Sequence, residues 1–275
     1  MKKGILTILV LIAGLFISVA RADVLVLVHG FLGSAQSWDT SGVTAVLEHH
    51  GWHRAGVFVA GPAGNRLIPA PGRANKLKYY TVDLPSEAPI LVQAFQLRQI
   101  LKSINVLYAN EPITVVGHSA GGVVARAALV RGDIDNVKAL ITIASPNLGT
   151  VRAEQALDAT DIPFPLTMVT DFFGGDTYDM AMQSRGLFVD LVRERPGTLL
   201  FWLNRLPHPD IEYFSVVRGQ PATLSGDYIV PGYSQDMNNV AALHGRSTLV
   251  KVNNSNHGLS ILDGSVIVSI LAGAI

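Results

Sequence analysis

The residue in this chain best suited to act as a nucleophile is Ser119, which lies in the run Gly117 to Gly121 with the pattern Gly-x-Ser-x-Gly. An apolar, β-branched run from Ile113 to Val116 precedes it, and a run with helical character from Ala120 to Arg131 follows. A strand, a tight turn and a helix in that order are typical of a nucleophile elbow, which projects the serine hydroxyl above the sheet. The turn is so tight that the flanking glycines cannot be replaced by larger residues. The pattern alone would arise by chance in about one chain in seven of this composition, so its meaning depends on the other residues.

A serine hydroxyl needs a base to take its proton, and that base is usually a histidine oriented by a carboxylate. In a parallel sheet these groups meet only if each follows the carboxyl end of a strand. Of the eight histidines, His257 satisfies this rule, because it lies in the loop after a predicted strand ending at Val252. His118, inside the elbow, is predicted to point away from its neighbour Ser119. The histidines at positions 49, 50 and 53 are expected to be solvated rather than to bind a metal.

The carboxylate partner is predicted to be Asp227, in the loop after a predicted strand over Ile211–Val217. Asp236 is the alternative, nine residues later and at the start of a predicted helix. Two backbone N–H groups are also needed to hold the oxyanion. Ala120, directly after the nucleophile, is expected to supply one, and Phe31, in the loop after the first strand, the other.

Strands alternate with helices over the first 150 residues. Val24–Val28 is continuously apolar, which is typical of a strand buried on both faces. Residues 61–76, rich in Gly and Pro, are predicted to be irregular. The alternation predicts an α/β fold with a mostly parallel central sheet covered by helices on both faces. Further strands are predicted at Val57–Ala60, Lys78–Val82, Val137–Ile143 and Thr248–Val252, and helices at Ser34–His50, Glu87–Tyr108 and Gly258–Ile275.

The pattern changes over residues 151–210, where short apolar pieces are cut by Pro and Gly and no buried strand is evident. We expect this segment to be a cap or lid insertion whose apolar residues face an acyl chain, and a mobile lid would suit a lipid–water interface. The alternative is ordinary helical packing on the sheet.

The composition excludes several function classes. The chain has 275 residues and is 49% hydrophobic, so it can bury a large core. Lys plus Arg and Asp plus Glu are both 21, which gives no electrostatic reason to expect nucleic acid. The absence of cysteine excludes disulfides, thiolate metal sites and a cysteine nucleophile. No pattern calls for a cofactor or a metal, and none indicates an obligate protein partner.

The first 22 residues are predicted to be a signal peptide. They begin with two lysines after Met1, continue with an apolar stretch of 16 residues from Gly4 to Val19, and end in an Ala-x-Ala cleavage site. The expected mature domain, 23–275, would be secreted or periplasmic. The competing interpretation is an uncleaved membrane anchor, although the stretch is short for a full span.

The chain resembles the α/β-hydrolase superfamily and, within it, the bacterial lipases and esterases. The resemblance spans nearly all of the expected mature domain. It lies in the residues Val24–Gly33, Gly117–Gly122, Ala144–Thr150, Gly226–Pro231 and Asn256–Gly258.

This resemblance implies that Ser119 is the nucleophile, Asp227 the acid and His257 the base, with the N–H groups of Phe31 and Ala120 as the oxyanion hole. It implies a serine hydrolase that cleaves small-molecule or lipid carboxylic esters through an acyl-enzyme, without a cofactor, and the predicted signal peptide indicates that this hydrolase is exported. The alternatives are an acyltransferase or amidase on the same triad, and a non-catalytic binding protein of the same fold.

Overall fold

A computed structural model describes residues 24–72, 76–130, 134–161, 182–219 and 226–275. The strands in these ranges are β1 Val24–Val28, β2 His53–Val59, β3 Arg66–Pro69, β4 Lys78–Asp83, β5 Ile113–His118, β6 Val137–Ile143, β7 Glu212–Arg218 and β8 Ser247–Val252. They form one sheet in the order β3-β2-β4-β1-β5-β6-β7-β8. Every neighbouring pair is parallel except β2 and β3, so the predicted mostly parallel sheet is confirmed.

The helices lie between the strands, as the alternating pattern predicts. The helix predicted over Ser34–His50 is divided in two, because Gly42 adopts a left-handed conformation with φ of 79°. The helices are α1 Ser37–Thr40, α2 Val43–His49, α3 Ile90–Leu107, α4 Ala120–Leu129, α5 Val151–Asp161, α6 Arg185–Leu191, α7 Leu199–Leu203, α8 Gly232–Gln235 and α9 Ile261–Leu271.

The core lies on both faces of the sheet. Successive side chains of a strand point to opposite faces, and in β1 the residues at positions 24, 26 and 28 join one apolar cluster while Leu25 and Leu27 join the other. The first cluster includes Leu97 of α3 and Val123 of α4, and the second includes Leu47 of α2 and Ile267 of α9. Burial on both faces explains why β1 is apolar at every position.

The prediction that residues 61–76 are irregular is wrong in part. Arg66–Pro69 forms β3, which turns back and pairs antiparallel with β2 at the edge of the sheet. An edge strand tolerates Pro69, because the missing N–H faces away from the ladder. β2 and β3 approach closely at Gly56 because this residue has no side chain. An added Cβ there would lie 2.6 Å from the carbonyl oxygen of Ile68. Residues 73–75 lie outside the described residues.

The segment between β6 and β7 contains α5, α6 and α7, and the described residues between 151 and 210 form no strand. Residues 162–181, which belong to the predicted cap or lid, lie outside the described residues, and so does the predicted signal peptide, 1–22. The cap or lid therefore stays a prediction. No helix in the described ranges is long and apolar enough to cross a membrane.

Candidate active site

Ser119 lies in a strained turn between β5 and α4. Its backbone has φ of 52° and ψ of −129°, a sparsely populated conformation that typically costs on the order of 1–3 kcal/mol. The neighbouring glycines permit the turn, since an added Cβ on Gly117 would lie 2.5 Å from the Cα of Gly122. A Cβ on Gly121 would lie 2.2 Å from the carbonyl oxygen of His29. The turn therefore presses against the end of β1 and leaves no space for side chains around the serine.

Ser119, His257 and Asp227 form a continuous row of hydrogen bonds. The Nε2 atom of His257 is 2.8 Å from Ser119 Oγ, and its Nδ1 atom is 2.8 Å from Asp227 Oδ2. A carboxylate can only accept, so the ring proton belongs on Nδ1 and Nε2 is left to accept the serine proton. The Asp227 side chain is fully buried, while that of His257 is 20% exposed. The row thus runs from the interior to the surface of the sheet edge.

Asp227 is fixed by its own loop. Its Oδ1 atom accepts hydrogen bonds from the N–H groups of Ile229 and Val230, at 2.8 and 2.7 Å. The Oδ2 atom accepts a longer bond, 3.3 Å, from Nε2 of the buried Gln235. These donors hold the carboxylate plane, so Oδ2 can point only toward His257.

Asp236, the alternative acid, lies elsewhere. Its Oδ1 atom accepts the N–H of Asn238 at 2.9 Å and caps a short 3-10 turn over Met237–Asn239. Its carboxylate has no hydrogen bond to a histidine among the described residues. The structure therefore brings Asp227, and not Asp236, to His257.

The loop after β1 places Phe31 beside the serine. An added Cβ on Gly30 would lie 2.8 Å from Ser119 Cβ, so only glycine allows this approach. The Gly30 carbonyl accepts a bond from the N–H of Gly33, at 3.0 Å, and lies 2.9 Å from His29 Nδ1. In a trans peptide the carbonyl and the following N–H point in opposite directions. The N–H of Phe31 therefore points away from the His29 ring.

The second expected oxyanion donor, Ala120, is the first residue of α4. The N–H groups of the first helical turn have no partner within the helix, so this N–H is left to bind an acceptor beside Ser119. The same helix end presents its positive dipole to the site. Phe31, Ser119 and Ala120 line one cavity.

The His29 ring locks the loop after β1. Its Nε2 atom accepts the N–H of Leu84 at 3.0 Å, which requires that the proton is on Nδ1, where it is donated to Gly30. The residue is almost fully buried, and this burial lowers the pKa of His29 from its ordinary value. A neutral ring with one fixed tautomer thus joins the ends of β1 and β4.

His118 makes a contact with His257 that the sequence does not predict. The sequence predicts only that His118 points away from Ser119; the structure places its Nε2 atom 2.9 Å from the carbonyl oxygen of His257. The two imidazole rings are 5.2 Å apart between centroids. Burial of the ring, followed by the proximity of His257, lowers the pKa of His118 to about 3. The only available signal was its position next to the nucleophile at the end of a strand.

The site opens into a cavity of about 160 Å³ with mostly apolar walls. Phe31 and Phe188 meet edge to face across 5.2 Å on one side of it. A larger depression, about 640 Å³, lies between α3 and the loop around Gly64; of the residues described there, none is a histidine that could activate the hydroxyl of Ser103. The smaller cavity is therefore the candidate site. Its apolar walls also include Pro146, Ala153, Leu187, Leu191, Ile229 and Val230.

The described ranges contain no group of three or more His, Asp or Glu side chains placed to hold a metal ion. His244 is exposed and bonds through Nδ1 to the carbonyl oxygen of Asn238. His208 is buried, and burial followed by the charge of Arg126 lowers the pKa of His208 to about 4.

The mostly parallel sheet, the elbow after β5 and the helices on both faces define an α/β-hydrolase fold. The chain matches the family model described as the PGAP1-like alpha/beta domain over residues 20–160, just over half of its length, and it belongs to that family. No curated protein sequence matches it significantly.

Solved structures share the fold at low sequence identity. The product of gene lin2722 from Listeria innocua is 15% identical, with 85% of this chain and 84% of that chain covered and a TM-score of 0.57. The mature form of the Bacillus licheniformis lipase BlEst2 is 15% identical, with 92% of each chain covered and a TM-score of 0.55. The carboxylesterase CesB (YbfK) from Bacillus subtilis is 13% identical, with coverage of 92% and 85% and a TM-score of 0.53.

Proposed function

We propose that this protein is an exported serine hydrolase that cleaves carboxylic esters through an acyl-enzyme. The observation that carries the proposal is the hydrogen-bonded row of Asp227, His257 and Ser119, which opens on a mostly apolar cavity. Similarity in fold to a lipase and a carboxylesterase agrees with ester chemistry.

In the first half-reaction Ser119 Oγ attacks the ester carbonyl carbon while His257 Nε2 takes the hydroxyl proton. The carbonyl oxygen becomes an oxyanion, held by the N–H groups of Phe31 and Ala120. The imidazolium formed on His257 is stabilised by the buried carboxylate of Asp227. Collapse of the tetrahedral intermediate breaks the ester C–O bond, and His257 gives its proton to the leaving alcohol.

In the second half-reaction a water molecule takes the place of the alcohol. His257 removes a proton from the water as it attacks the acyl-serine, and the same N–H groups hold the new oxyanion. The intermediate collapses, the carboxylic acid leaves, and the proton returns from His257 to Ser119 Oγ. An alcohol in place of water would give acyl transfer by the same steps.

Ser119→Ala tests the nucleophile. The variant should lose all turnover of a p-nitrophenyl ester above background, because Ser119 carries the one hydroxyl, among the described residues, that bonds to His257 Nε2. Ser103→Ala, which removes an exposed hydroxyl from the larger depression, is the matched control and should keep wild-type activity. A fluorophosphonate probe should label the wild type and not Ser119→Ala.

Three outcomes would contradict parts of the proposal. Undiminished turnover by the Ser119→Ala variant would exclude Ser119 as the nucleophile. No fluorophosphonate adduct on the wild type would favour a binding protein of the same fold. Preferential transfer to an added alcohol over hydrolysis would assign an acyltransferase instead.

The substrate is proposed to be a small-molecule or lipid ester whose acyl group lies in the cavity beside Ser119. Residues 151–210 are proposed to act as a cap or lid, and the described part already contributes Leu187, Phe188 and Leu191 to the cavity wall. A panel of p-nitrophenyl esters of rising acyl length, with and without a lipid interface, distinguishes a lipase from an esterase. Activation by the interface would support a lid that opens on lipid.

Export is proposed from the sequence of residues 1–22. Expression of the full chain in a bacterial host should yield a protein that begins at Asp23, as measured by N-terminal sequencing of the periplasmic or secreted fraction. An intact N-terminus in the membrane fraction would instead indicate an uncleaved anchor.

A further inference from the structure

The loop that carries His257, residues 253–260, is joined to the sheet by main-chain carbonyls. The carbonyl oxygen of Asn254 accepts the N–H of Gly219 at 3.1 Å. The carbonyl oxygen of Gly258 accepts a bond of 3.1 Å from Nη2 of Arg218, at the end of β7. The carbonyl oxygen of His257 itself is held from the other side, by the end of β5.

That contact comes from the side chain of His118. It is made to the main chain of His257, whose imidazole must be aligned with Ser119. The Nε2 atom of His118 lies 2.9 Å from the carbonyl oxygen of His257, across 139 residues of sequence. His118 directly precedes Ser119, so the end of β5 carries both the nucleophile and the group that holds the proposed base. This contact ties the backbone of His257 directly to the strand end that leads into Ser119.

The ring of His118 is in the right state for this contact. A carbonyl oxygen can only accept, so the bond requires a proton on Nε2 of His118. The low pKa of His118, about 3, keeps the ring neutral at any pH at which an esterase works. A neutral neighbour does not oppose the positive charge that His257 acquires during the reaction. The two rings are also inclined at 43°, which limits the space in which the His257 ring can rotate.

We propose that His118 is a positioning residue for the proposed ester hydrolysis, which fixes the backbone of His257 through its Nε2–H and so keeps the base aligned with Ser119. The inference rests on the proposed function, because it assigns His257 as the base. His118 does not line the cavity beside Ser119 and bonds to the main chain of His257, so we expect its effect in the rate and not in substrate binding.

Two variants of His118 separate the hydrogen bond from the bulk of the side chain. Methionine has a similar length but no N–H donor, whereas glutamine reaches a similar distance and retains one. His118→Met should lower kcat by about 10- to 100-fold with KM changed by less than about threefold, since small displacements of a catalytic group are costly. His118→Gln should keep kcat within about threefold of the wild type. The rate of inactivation by a fluorophosphonate, which also needs the serine and the base aligned, should follow kcat.

The matched control is His244→Met, which removes another bond from a histidine to a main-chain carbonyl, at an exposed site. It should keep wild-type kinetics. The proposal is overturned if His118→Met keeps kcat within about twofold of the wild type, or if His118→Gln loses as much as His118→Met. Where the methionine variant does not fold, His118→Gln decides, and a tenfold loss of kcat overturns the proposal.

Failure of this inference can be told from failure of the proposed function. An inactive Ser119→Ala together with a fully active His118→Met removes the positioning role alone. An active Ser119→Ala removes the proposed function, and the positioning role with it.

Discussion

Asp227 sets the tautomer of His257 because its two oxygens have separate partners. Oδ1 accepts the N–H groups of Ile229 and Val230, and Oδ2 faces Nδ1 of His257. The loop therefore leaves one orientation for the side chain. Any substitution at this position has to place an acceptor at Oδ1 before it can serve the imidazole.

Asp227→Asn is expected to lower kcat by on the order of 10⁴-fold, the effect that this change has in a Ser-His-Asp triad. The asparagine oxygen must take the Oδ1 place, since two N–H groups point there. Its NH₂ group then faces His257 Nδ1 and forces the ring proton onto Nε2, where it cannot accept the serine proton. The measurement is kcat for a p-nitrophenyl ester.

The control for this change is Asp236→Asn, which keeps an acceptor for the N–H of Asn238 and should stay within about twofold of the wild type. Equal losses in the two variants would contradict the assignment of Asp227 as the acid. A loss in Asp236→Asn alone would assign Asp236 instead.

The meeting of Ser119, Asp227 and His257 could be predicted because one topological rule places them. Each follows the carboxyl end of a parallel strand, and those ends share an edge of the sheet. The contact of His118 with His257 could not be predicted, because it depends on the path of a loop 139 residues away. Rules of sequence order place residues at an edge but do not give the direction of a side chain there.

At the scale of strands and helices, the elbow depends on the packing of α4 against the end of β1. Gly121, in the first turn of α4, packs directly on the end of β1. The same strand end continues into the loop that carries Phe31. The close packing of α4 on β1 thus sets the distance between the two expected oxyanion donors.

Gly121→Ala tests this packing, because two effects of opposite sign compete. Helix propensity alone would favour alanine by about 1 kcal/mol. The added Cβ, however, would lie 2.2 Å from the carbonyl oxygen of His29 and 2.7 Å from that of Val28, and neither backbone atom can move freely. We expect the clash to prevail and the free energy of unfolding to fall by about 3 kcal/mol.

Urea denaturation measures this change, with Gly61→Ala as the control. The nearest atom to a Cβ on Gly61 is the carbonyl oxygen of Gly64 at 3.4 Å, an ordinary contact, so its effect should stay within about 0.5 kcal/mol. A Gly121→Ala variant as stable as the wild type would mean that α4 can move away from β1.

The buried strands were predictable as elements, and the edge strand was not. β1 and β6 are apolar at nearly every position, since helices cover both faces of the sheet. β3 contains Arg66 and Pro69, and its strand conformation comes from pairing with β2 rather than from its own pattern. Tertiary pairing of this kind leaves little trace in a run of four residues.

At the scale of the whole molecule, burial decides the charge of several histidines. His29 and His208 are almost fully buried in different parts of the fold, and burial lowers the pKa of each. In the unfolded chain a histidine takes up a proton near pH 6.5. Below that pH the unfolded chain binds protons that these two folded sites do not, so the free energy of unfolding must fall as the pH falls.

His208→Leu tests this linkage away from the candidate active site. In the wild type the contribution of His208 is fully present above about pH 6.5 and is lost progressively toward its folded pKa of about 4. A histidine that stays neutral when folded costs about 1.4 kcal/mol of stability at pH 5.5 relative to pH 7.5. The free energy of unfolding of the leucine variant should therefore fall by about 1 kcal/mol less than that of the wild type between these pH values, measured by urea denaturation at each.

The control is His244→Leu, at an exposed histidine, whose free energy of unfolding should depend on pH as that of the wild type does. The same pH dependence in all three proteins would mean that His208 is protonated in the fold and that its burial does not keep it neutral.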